Sequence, residues 1–290
     1  MSRTILITGA TGTVSTALMD ALQDADVRLR ALVRDPAKAD GLRERGVEVA
    51  AGDLDDPRSL PAAFEGVQDL WLLVPNGPRT PEHNMNAMWA AREAGVERVV
   101  RLSVVGAAHD APSRSARLHA LSDREVEQCG MSWTILRPHW FMQNLLNEAG
   151  DVAGGDAFSL NMAGARLGMI DARDIAECAA RVLLDDPGVH HGRTYTLTGP
   201  SSLTFGEVAE RFTAALDRPV GYRPVSDDAK REALLGNGVP SWIVDMLEEY
   251  ARAYTSGWGD FTTGTVADLL GRPPRDVADF VRDHAPAFCH

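Results

Sequence analysis

Short apolar runs alternate with longer amphipathic stretches through the first 150 residues. The apolar runs are TILIT (4–8), LRALV (29–33), VEVA (47–50), DLWLLV (69–74), RVVRLSVV (98–105) and WTIL (133–136). Most are apolar throughout rather than alternating, as in strands covered by helices on both faces. The stretches between them, which include STALMDAL, PEHNMNAMWAAREAG and SARLHALSDREVEQCG, have a helical period. The pattern predicts parallel strands joined by crossover helices.

The pattern changes after residue 150. A Gly-rich stretch (150–158) precedes a helical pattern from Ala172 to Leu184, a strand pattern at 194–198 and a helical pattern at 204–216. The remainder, from Asp227 to His284, is predicted as helices broken at GNGVP, TSGWGD and GRPP. We therefore expect a core over residues 1–150, then a mixed segment over 151–290 that adds core elements and a C-terminal lobe.

Composition narrows the classes of ligand. The net charge of -12 argues against a nucleic-acid partner, because a polyanion needs a basic surface. Cys129, Cys178 and Cys289 are far apart and form no CxxC, so neither a disulfide framework nor a zinc site is predicted. No apolar run approaches the roughly 20 residues of a membrane span, and no signal-like segment precedes the first strand, which begins at Thr4. We expect a cytoplasmic protein without a membrane partner.

The stretch TGATGTVS joins the first strand to the first helix. Gly9 permits a tight turn, and Gly12 lets the backbone approach a diphosphate at the N-terminus of the helix. Ser15 stands at the third position of the motif, where a small side chain is needed for packing of the helix against the strand. Val14, Leu18 and Leu22 form the apolar stripe of that helix. The turn predicts a dinucleotide site.

Residues after the second and third strands indicate which dinucleotide. Arg34 can pair with a 2′-phosphate and Lys38 can add positive charge, so NADPH is the predicted cofactor. The alternative is that Arg34 pairs with Asp35 at the surface. Asp53 is predicted either to accept from the adenine amine or to cap a helix. The predicted cofactor-binding residues are Thr8, Gly9, Thr11, Gly12, Thr13, Val14, Arg34, Lys38, Asp53, Leu54, Val74 and Pro75.

Five segments in order resemble a known family over residues 1 to about 225: TGATG, LVRD, GDLDDPRSL, RVVRLSVVGA and GMSWTILRPHWFMQNL. Together they are similar to the NmrA-like group of atypical short-chain dehydrogenases/reductases. The resemblance implies an α/β fold, with a Rossmann-type doubly wound parallel sheet and a smaller, mostly helical C-terminal lobe over the cofactor. It also implies NADP(H) more often than NAD(H). The family contains both reductases and non-catalytic redox sensors, so membership alone does not decide the function.

The catalytic pattern departs from that of other short-chain reductases, which have a serine after the fifth strand and a Tyr-x-x-x-Lys on the next helix. Ser103 matches the serine, but the helix SARLHALSDREVEQCG contains neither tyrosine nor lysine. His119 falls near the position of the lysine. It is predicted to hold the nicotinamide ribose or to supply a proton, since an ordinary histidine has its pKa near working pH. The alternative is a packed or solvent-facing helix histidine.

The segment RPHWFMQN follows the sixth strand, at the sheet edge where open α/β proteins bind ligands. It combines apolar faces with a few polar atoms, which suits a flat, weakly polar substrate. The predicted substrate-binding residues are His139, Trp140, Phe141, Met142 and Asn144. Packing of Trp140 and Phe141 into a core is the alternative. The late aromatic residues either cover the same site or belong to the core: Trp242, Tyr250, Tyr254 and Trp258.

These features together predict an NADPH-dependent reductase of a bulky aromatic or polyketide-type ketone or quinone, working without the Tyr-Lys pair. Orientation of the reactants supplies much of the rate, and a phenol of the substrate next to its carbonyl supplies the missing proton. The expected partner is this small-molecule aromatic carbonyl substrate. The alternative is a non-catalytic NADP(H)-sensing regulator. No HExxH, GxSxG or full Walker loop is present, so no metal is predicted.

Overall fold

The computed structural model describes residues 2–289 of the chain. Its strands are β1 Arg3–Ile7, β2 Val27–Val33, β3 Glu48–Ala51, β4 Asp69–Leu72, β5 Arg98–Leu102, β6 Ser132–Pro138, β7 Ala157–Leu160, β8 Arg166–Leu167, β9 Arg193–Leu197, β10 Leu203–Thr204 and β11 Gly221–Pro224. The helices are α1 Thr13–Ala21, α2 Asp40–Glu44, α3 Pro61–Phe64, α4 Thr80–Glu93, α5 Arg114–Glu127, α6 Ala149–Gly154, α7 Ala172–Leu184, α8 Pro187–His190, α9 Phe205–Leu216, α10 Asp227–Gly236, α11 Ser241–Thr255, α12 Thr265–Leu270, α13 Val277–Asp283 and α14 Ala285–Phe288. Short 3-10 helices lie at Pro36–Lys38, Pro57–Ser59 and Met142–Glu148.

The main sheet has the strand order β3-β2-β1-β4-β5-β6-β9. Each adjacent pair from β3 to β6 is parallel. The chain runs outward from β1 to β3 and then returns to the other side of β1 to begin β4. In open α/β sheets, such a reversal opens a crevice at the carboxyl ends of the strands, where ligands bind. The predicted α/β class and Rossmann-type sheet are confirmed.

The central strands are covered on both faces. Every residue of β4 and of β5 is buried, which explains why these runs are nearly continuous in apolar residues. Two arginines, Arg98 and Arg101, are buried within β5 as well. A buried charge is tolerated only when it is paired and hydrogen-bonded, so the surroundings of β5 must supply partners for both.

Arg98 ties β5 to its neighbour β4 and to the end of α7. Its Nε donates to Oδ1 of the fully buried Asp69 at 2.7 Å. Its terminal nitrogens donate to the backbone oxygens of Val182 (3.0 Å), Leu183 and Asp185 (2.9 Å). The guanidinium therefore caps the C-terminus of α7, where backbone oxygens lack partners within the helix.

The chain divides into two compact units. The first comprises residues 1–110, 115–137 and 175–195, and the second comprises 111–114, 138–174 and 196–290. The division differs from the expected boundary at residue 150. The segment after β6 enters the second unit already at Pro138, whereas most of α7 returns to the first, where Arg98 of β5 binds the backbone oxygens at its end.

The second unit has its own aromatic core. Two small sheets pair β7 with β11 in parallel and β8 with β10 in antiparallel. Helix α9 begins with a capping box, in which Thr204 accepts from the backbone of Glu207 and the Glu207 side chain accepts from the backbone of Thr204. The packed rings of this core belong to Phe158, Phe205, Phe212, Tyr222 and Phe288.

Most predicted elements of the main sheet and its helices agree with the structure, and α7 has the predicted bounds. The run RVVRLSVV is shorter than predicted, because the strand ends at Leu102 and Ser103 begins a loop. The short strands β7, β8, β10 and β11 were not predicted. Strands of two to four residues are too short to show the alternation of apolar and polar residues by which a strand is recognised in a sequence.

We expect Asp69→Ala to lower the free energy of unfolding by ~3–5 kcal/mol, because it leaves the buried Arg98 without its carboxylate. Asp69 also accepts two hydrogen bonds from Arg3. Urea unfolding followed by circular dichroism measures the change. Asp40→Ala is the control, since its ion pair with Arg43 is exposed and surface pairs contribute ~0–1 kcal/mol. Equal losses in the two variants would contradict the structural role given to Asp69.

Candidate functional site

The turn between β1 and α1 has the geometry of a diphosphate cradle. Gly9 has a φ of +59°, and a Cβ built there would lie 2.7 Å from Cδ2 of Leu73. Only glycine fits this position. Gly12 precedes α1, and no side chain caps that helix. The N–H groups of its first turn therefore face the crevice side of the sheet without a side-chain acceptor, which suits an anionic group.

Ser15 replaces the third glycine of the motif by making hydrogen bonds. Its side chain is fully buried. The hydroxyl donates to the backbone oxygen of Thr8 at 3.1 Å and accepts from Nε1 of Trp71 at 2.9 Å. These bonds connect α1 to β1 and β4, so the predicted packing role of a small residue at this position is confirmed.

A cavity of about 720 Å³ opens beside this turn, within the usual size range of small-molecule sites. Its lining includes seven of the predicted cofactor residues: Gly9, Thr11, Arg34, Lys38, Asp53, Leu54 and Pro75. Thr8 and Val74 are buried beside it, and the Thr8 hydroxyl donates to the Leu73 oxygen at 2.8 Å. Thr8 therefore has no free hydroxyl proton for a ligand.

Among the charged residues after β2, Asp35 and Lys38 pair with each other, whereas Arg34 stays outside this pair. Asp35 accepts from the backbone N–H of Ala37 at 3.1 Å, and it pairs with Nζ of the exposed Lys38 at 3.3 Å. Arg34 takes part in neither contact and lies in the lining of the cavity. Because Asp35 already has partners, the alternative in which Arg34 pairs with it is not the arrangement found. Arg34 is the stronger candidate of the two cations for a phosphate.

Acidic residues also line this cavity, and Asp55 among them is close enough for the charge of Arg34 to lower its pKa. Oδ1 of Asp53 accepts from the backbone of Asp55, while Asp56 rather than Asp53 caps the next 3-10 helix. Asp55 accepts from Nε2 of His83 at 2.6 Å, and this bond lowers the pKa of Asp55. Asp55 also pairs with Arg79. The sequence reasoning missed His83 and Asp55, for which the acidic run GDLDD was the only signal.

Ser103 and His119 belong to one buried network in the first unit. Ser103 Oγ donates to Oδ2 of Asp123 at 2.8 Å, and Arg101 Nε donates to Oδ1 of the same carboxylate at 2.8 Å. Arg137 donates to Oδ2 through two nitrogens, at 3.0 and 2.9 Å. The structure thus links the two predicted catalytic residues through groups that the sequence reasoning missed. A signal existed, since Arg101 is a charge inside an apolar strand.

His119 is a buried, neutral side chain. Burial and the nearby guanidinium of Arg101 lower the pKa of His119 to about 3. The premise that its pKa lies near working pH is therefore wrong, because desolvation and positive charge both disfavour the imidazolium. His119 cannot act as a charged acid near neutral pH, although a neutral imidazole can still donate a hydrogen bond.

The segment after β6 lies in the second unit. His139 is buried between Tyr254 and Phe261, with ring centroids 5.7 and 5.3 Å away, and burial lowers its pKa to about 4. Met142 is buried and Asn144 is exposed. Trp140 and Phe141 are partly exposed, and the ring of Trp140 packs edge-on against Phe205 of the aromatic core at 5.8 Å, as the alternative had it.

The aromatic residues of the C-terminal segment also include both buried and partly exposed side chains. Tyr254 is buried and stacks on Tyr250 at 5.8 Å, and Trp258 packs against both rings. Trp242 lies under the guanidinium of Arg114 at 5.7 Å. Of this group only Tyr254 is a fully buried core residue.

Metal-binding and membrane-spanning features are the two remaining classes of site. Residues 2–289 include no cluster of three or more His, Cys, Asp or Glu side chains that could hold a metal ion. Over the same residues, no helix has the length and hydrophobicity needed to cross a bilayer.

Comparison with known proteins assigns the chain to a family. The NmrA-like family matches residues 1–280. The NAD(P)H azoreductase of Xenophilus azovorans is 39% identical over 98% of this chain and 99% of its own. A (4-alkanoyl-5-oxo-2,5-dihydrofuran-3-yl)methyl phosphate reductase of Streptomyces griseus is 33% identical, and the match covers 98% of this chain and 99% of that protein. The NADPH complex of an Escherichia coli quinone oxidoreductase superposes with a TM-score of 0.86 at 28% identity, covering 97% and 99% of the two chains. The chain belongs to the NmrA-like family.

Proposed function

We propose that the chain is an NADPH-dependent reductase that delivers a hydride to a bulky, flat acceptor, a quinone or an aromatic ketone, without a Tyr-Lys pair. The observation that carries this proposal is the cavity of about 720 Å³, which joins the glycine turn of β1 to Arg34. The azo, dihydrofuranone and quinone reductases among its relatives support the oxidoreductase class.

The cofactor would be held by backbone and by one guanidinium. Gly9 and Gly12 would accommodate the diphosphate at the start of α1, and Arg34 would bind the 2′-phosphate of the ribose. Lys38 adds positive charge from the rim, and Asp53 lies on the adenine side. The remaining predicted contacts are Thr8, Thr11, Thr13, Val14, Leu54, Val74 and Pro75. The positive φ of Gly9 supports this assignment, since it gives the tight turn from β1 into α1 that such a site needs.

The reduced nicotinamide supplies the hydride when it is bound. Hydride transfer leaves negative charge on the acceptor, and a conjugated acceptor spreads that charge over its π system. The chain then needs mainly to orient the two reactants, which can account for a large share of the rate. A phenol of the substrate next to its carbonyl provides the proton that the missing tyrosine would have given.

Ser103 would act only as a hydrogen-bond acceptor towards a ligand in this scheme. Its only hydroxyl proton is donated to Asp123, which is held in place by two guanidinium groups. Towards a ligand, Ser103 Oγ therefore offers lone pairs, and it suits an N–H or O–H donor rather than a carbonyl oxygen.

The substrate side of the proposal uses the segment after β6. Trp140 and Phe141 offer partly exposed rings, and Asn144 offers an exposed amide. Flat π surfaces of this kind suit the stacking of an aromatic acceptor. His139 and Met142 are buried, so they would support these rings from behind.

The test is NADPH oxidation against a panel of quinones, aromatic ketones and enones, with the products identified. We expect turnover of at least one quinone or aromatic ketone, and reduced product in amounts equal to the NADPH consumed. Tight NADPH binding without turnover of any acceptor would overturn the reductase and favour a redox-sensing regulator.

Arg34→Glu should weaken NADPH binding by ~10- to 100-fold, because it removes a charge-assisted contact to the 2′-phosphate worth ~1.5–3 kcal/mol. Binding of NADH, which lacks that phosphate, should change little. Titration of cofactor fluorescence measures both affinities. Arg43→Glu is the matched control. It makes the same change of charge on α2, and Arg43 does not line the cavity. A wild-type protein that binds NADH and NADPH equally would contradict the assignment of Arg34.

Methylation of the substrate phenol should slow the reaction. For an aromatic ketone with a hydroxyl next to its carbonyl, we expect kcat at least ~10-fold higher than for the matching methoxy compound, since a positioned acid contributes ~10²- to 10⁴-fold. Steady-state kinetics under saturating NADPH measure the ratio. Equal kcat values would show that the proton comes from elsewhere.

A further inference from the structure

Arg101 is a fully buried arginine whose guanidinium has three different side-chain partners. Nε donates to Asp123 at 2.8 Å, Nη1 donates to Oδ1 of Asn84 at 2.8 Å, and Nη2 lies 3.1 Å from Nδ1 of His119. Asn84 is itself fixed by donating to Glu125 at 2.7 Å. Asp123 and Asn84 are thus each held from a second side, and the guanidinium has one orientation.

The contact with Arg101 determines where the proton of His119 lies. A guanidinium has only donors, so Nδ1 of His119 must be the acceptor and carry no proton. The proton of the neutral ring is then on Nε2. That nitrogen is buried and has no hydrogen-bond partner among residues 2–289. His119 is buried, and a buried donor without an acceptor is costly, so a ligand oxygen that reached Nε2 would relieve this cost.

The charges around His119 oppose its protonation. Arg101 on β5 and Arg137 on β6 disfavour the imidazolium, and Asp123, one turn further along α5, favours it. Asp123 also binds both of these arginines, so its charge is already compensated. The side chain of α4 that contacts Arg101 is the neutral Asn84.

We propose that Arg101 is a positioning residue that holds His119 as the neutral imidazole with its proton on Nε2, and that this N–H donates a hydrogen bond to an oxygen atom of the bound cofactor or substrate. A neutral imidazole fixed in this way can polarise a carbonyl or bind a hydroxyl without giving up a proton. The ligand half of this inference rests on the proposed function. The tautomer half does not, because it concerns the chain alone.

Nitrogen-15 NMR of the histidine rings tests the tautomer in the wild-type protein. His119→Asn identifies the signals of His119 by their loss. From about pH 5 to pH 8 we expect an unprotonated Nδ1 and a protonated Nε2, with no titration. A proton on Nδ1, or a titration of His119 within this range, would overturn the inference whether or not the protein has activity.

Arg101→Met tests the positioning role. Burial is the larger cause of the lowered pKa of His119 and remains in this variant, but the loss of the guanidinium removes a positive charge that also lowers it. The pKa should therefore rise, and an acidic step in the pH profile of NADPH affinity or of kcat/KM should lie at higher pH than in the wild type. The step should vanish in Arg101→Met/His119→Phe, and Arg101→Lys should restore the wild-type profile. A profile unchanged by Arg101→Met would reject the role. If this variant does not fold, the wild-type NMR result decides.

His119→Phe distinguishes the two sources of the oxygen, with His119→Asn as the variant that keeps a donor. A cofactor oxygen predicts that His119→Phe raises the NADPH Kd by about tenfold while kcat changes little. A substrate oxygen predicts an unchanged Kd and a kcat lowered by about tenfold. No change in either quantity would overturn the inference. Intact NADPH binding and tautomer, with no acceptor reduced, would instead overturn the proposed reductase.

Discussion

The burial of two guanidinium groups on the inner strand β5 is the constraint on which the first unit depends. Arg98 and Arg101 are three residues apart, so their side chains leave the strand on opposite faces. On one face Arg98 binds Asp69 and the last backbone oxygens of α7. On the other, Arg101 binds Asp123 of α5 and Asn84 of α4. Each arginine thereby sets where a helix lies on the sheet, because an unpaired buried charge would cost far more than any single packing contact.

The properties of the candidate catalytic residues follow from the same constraint. Ser103 lies two residues after Arg101, on the same face, and shares the carboxylate of Asp123 with it. The polarity of the serine hydroxyl is thus a consequence of neutralising the arginine. His119 contacts the same guanidinium, whose charge, together with burial, lowers the pKa of His119 and keeps the ring uncharged. The proposed site would therefore have an acceptor and a neutral donor where other short-chain reductases have the Tyr-Lys pair, and neither would need to titrate near neutral pH.

The cofactor side of the site depends on local geometry and little on the rest of the fold. The glycine turn needs a positive φ at Gly9 and a side-chain-free approach at Gly12, and both requirements can be read from the sequence. Ser15 shows that the third position needs a small residue that can pack, since its hydroxyl joins α1 to β1 and β4. The charge distribution after β2 needed the structure. In the folded chain, Asp35 already pairs with Lys38 and accepts from the backbone of Ala37, which the sequence does not show.

The sequence by itself determined the main sheet, the helices between its strands and the dinucleotide turn, because these depend on apolar periodicity and on glycine at fixed positions along one stretch of chain. It also led to the prediction, still untested, that Ser103 and His119 are catalytic. The tertiary structure decided their chemical states. The pKa of His119 depends on desolvation and on charges from β5 and β6, and the proton of Ser103 is committed to Asp123, twenty residues away. Such properties arise from contacts between distant segments, and no local pattern in the sequence encodes them.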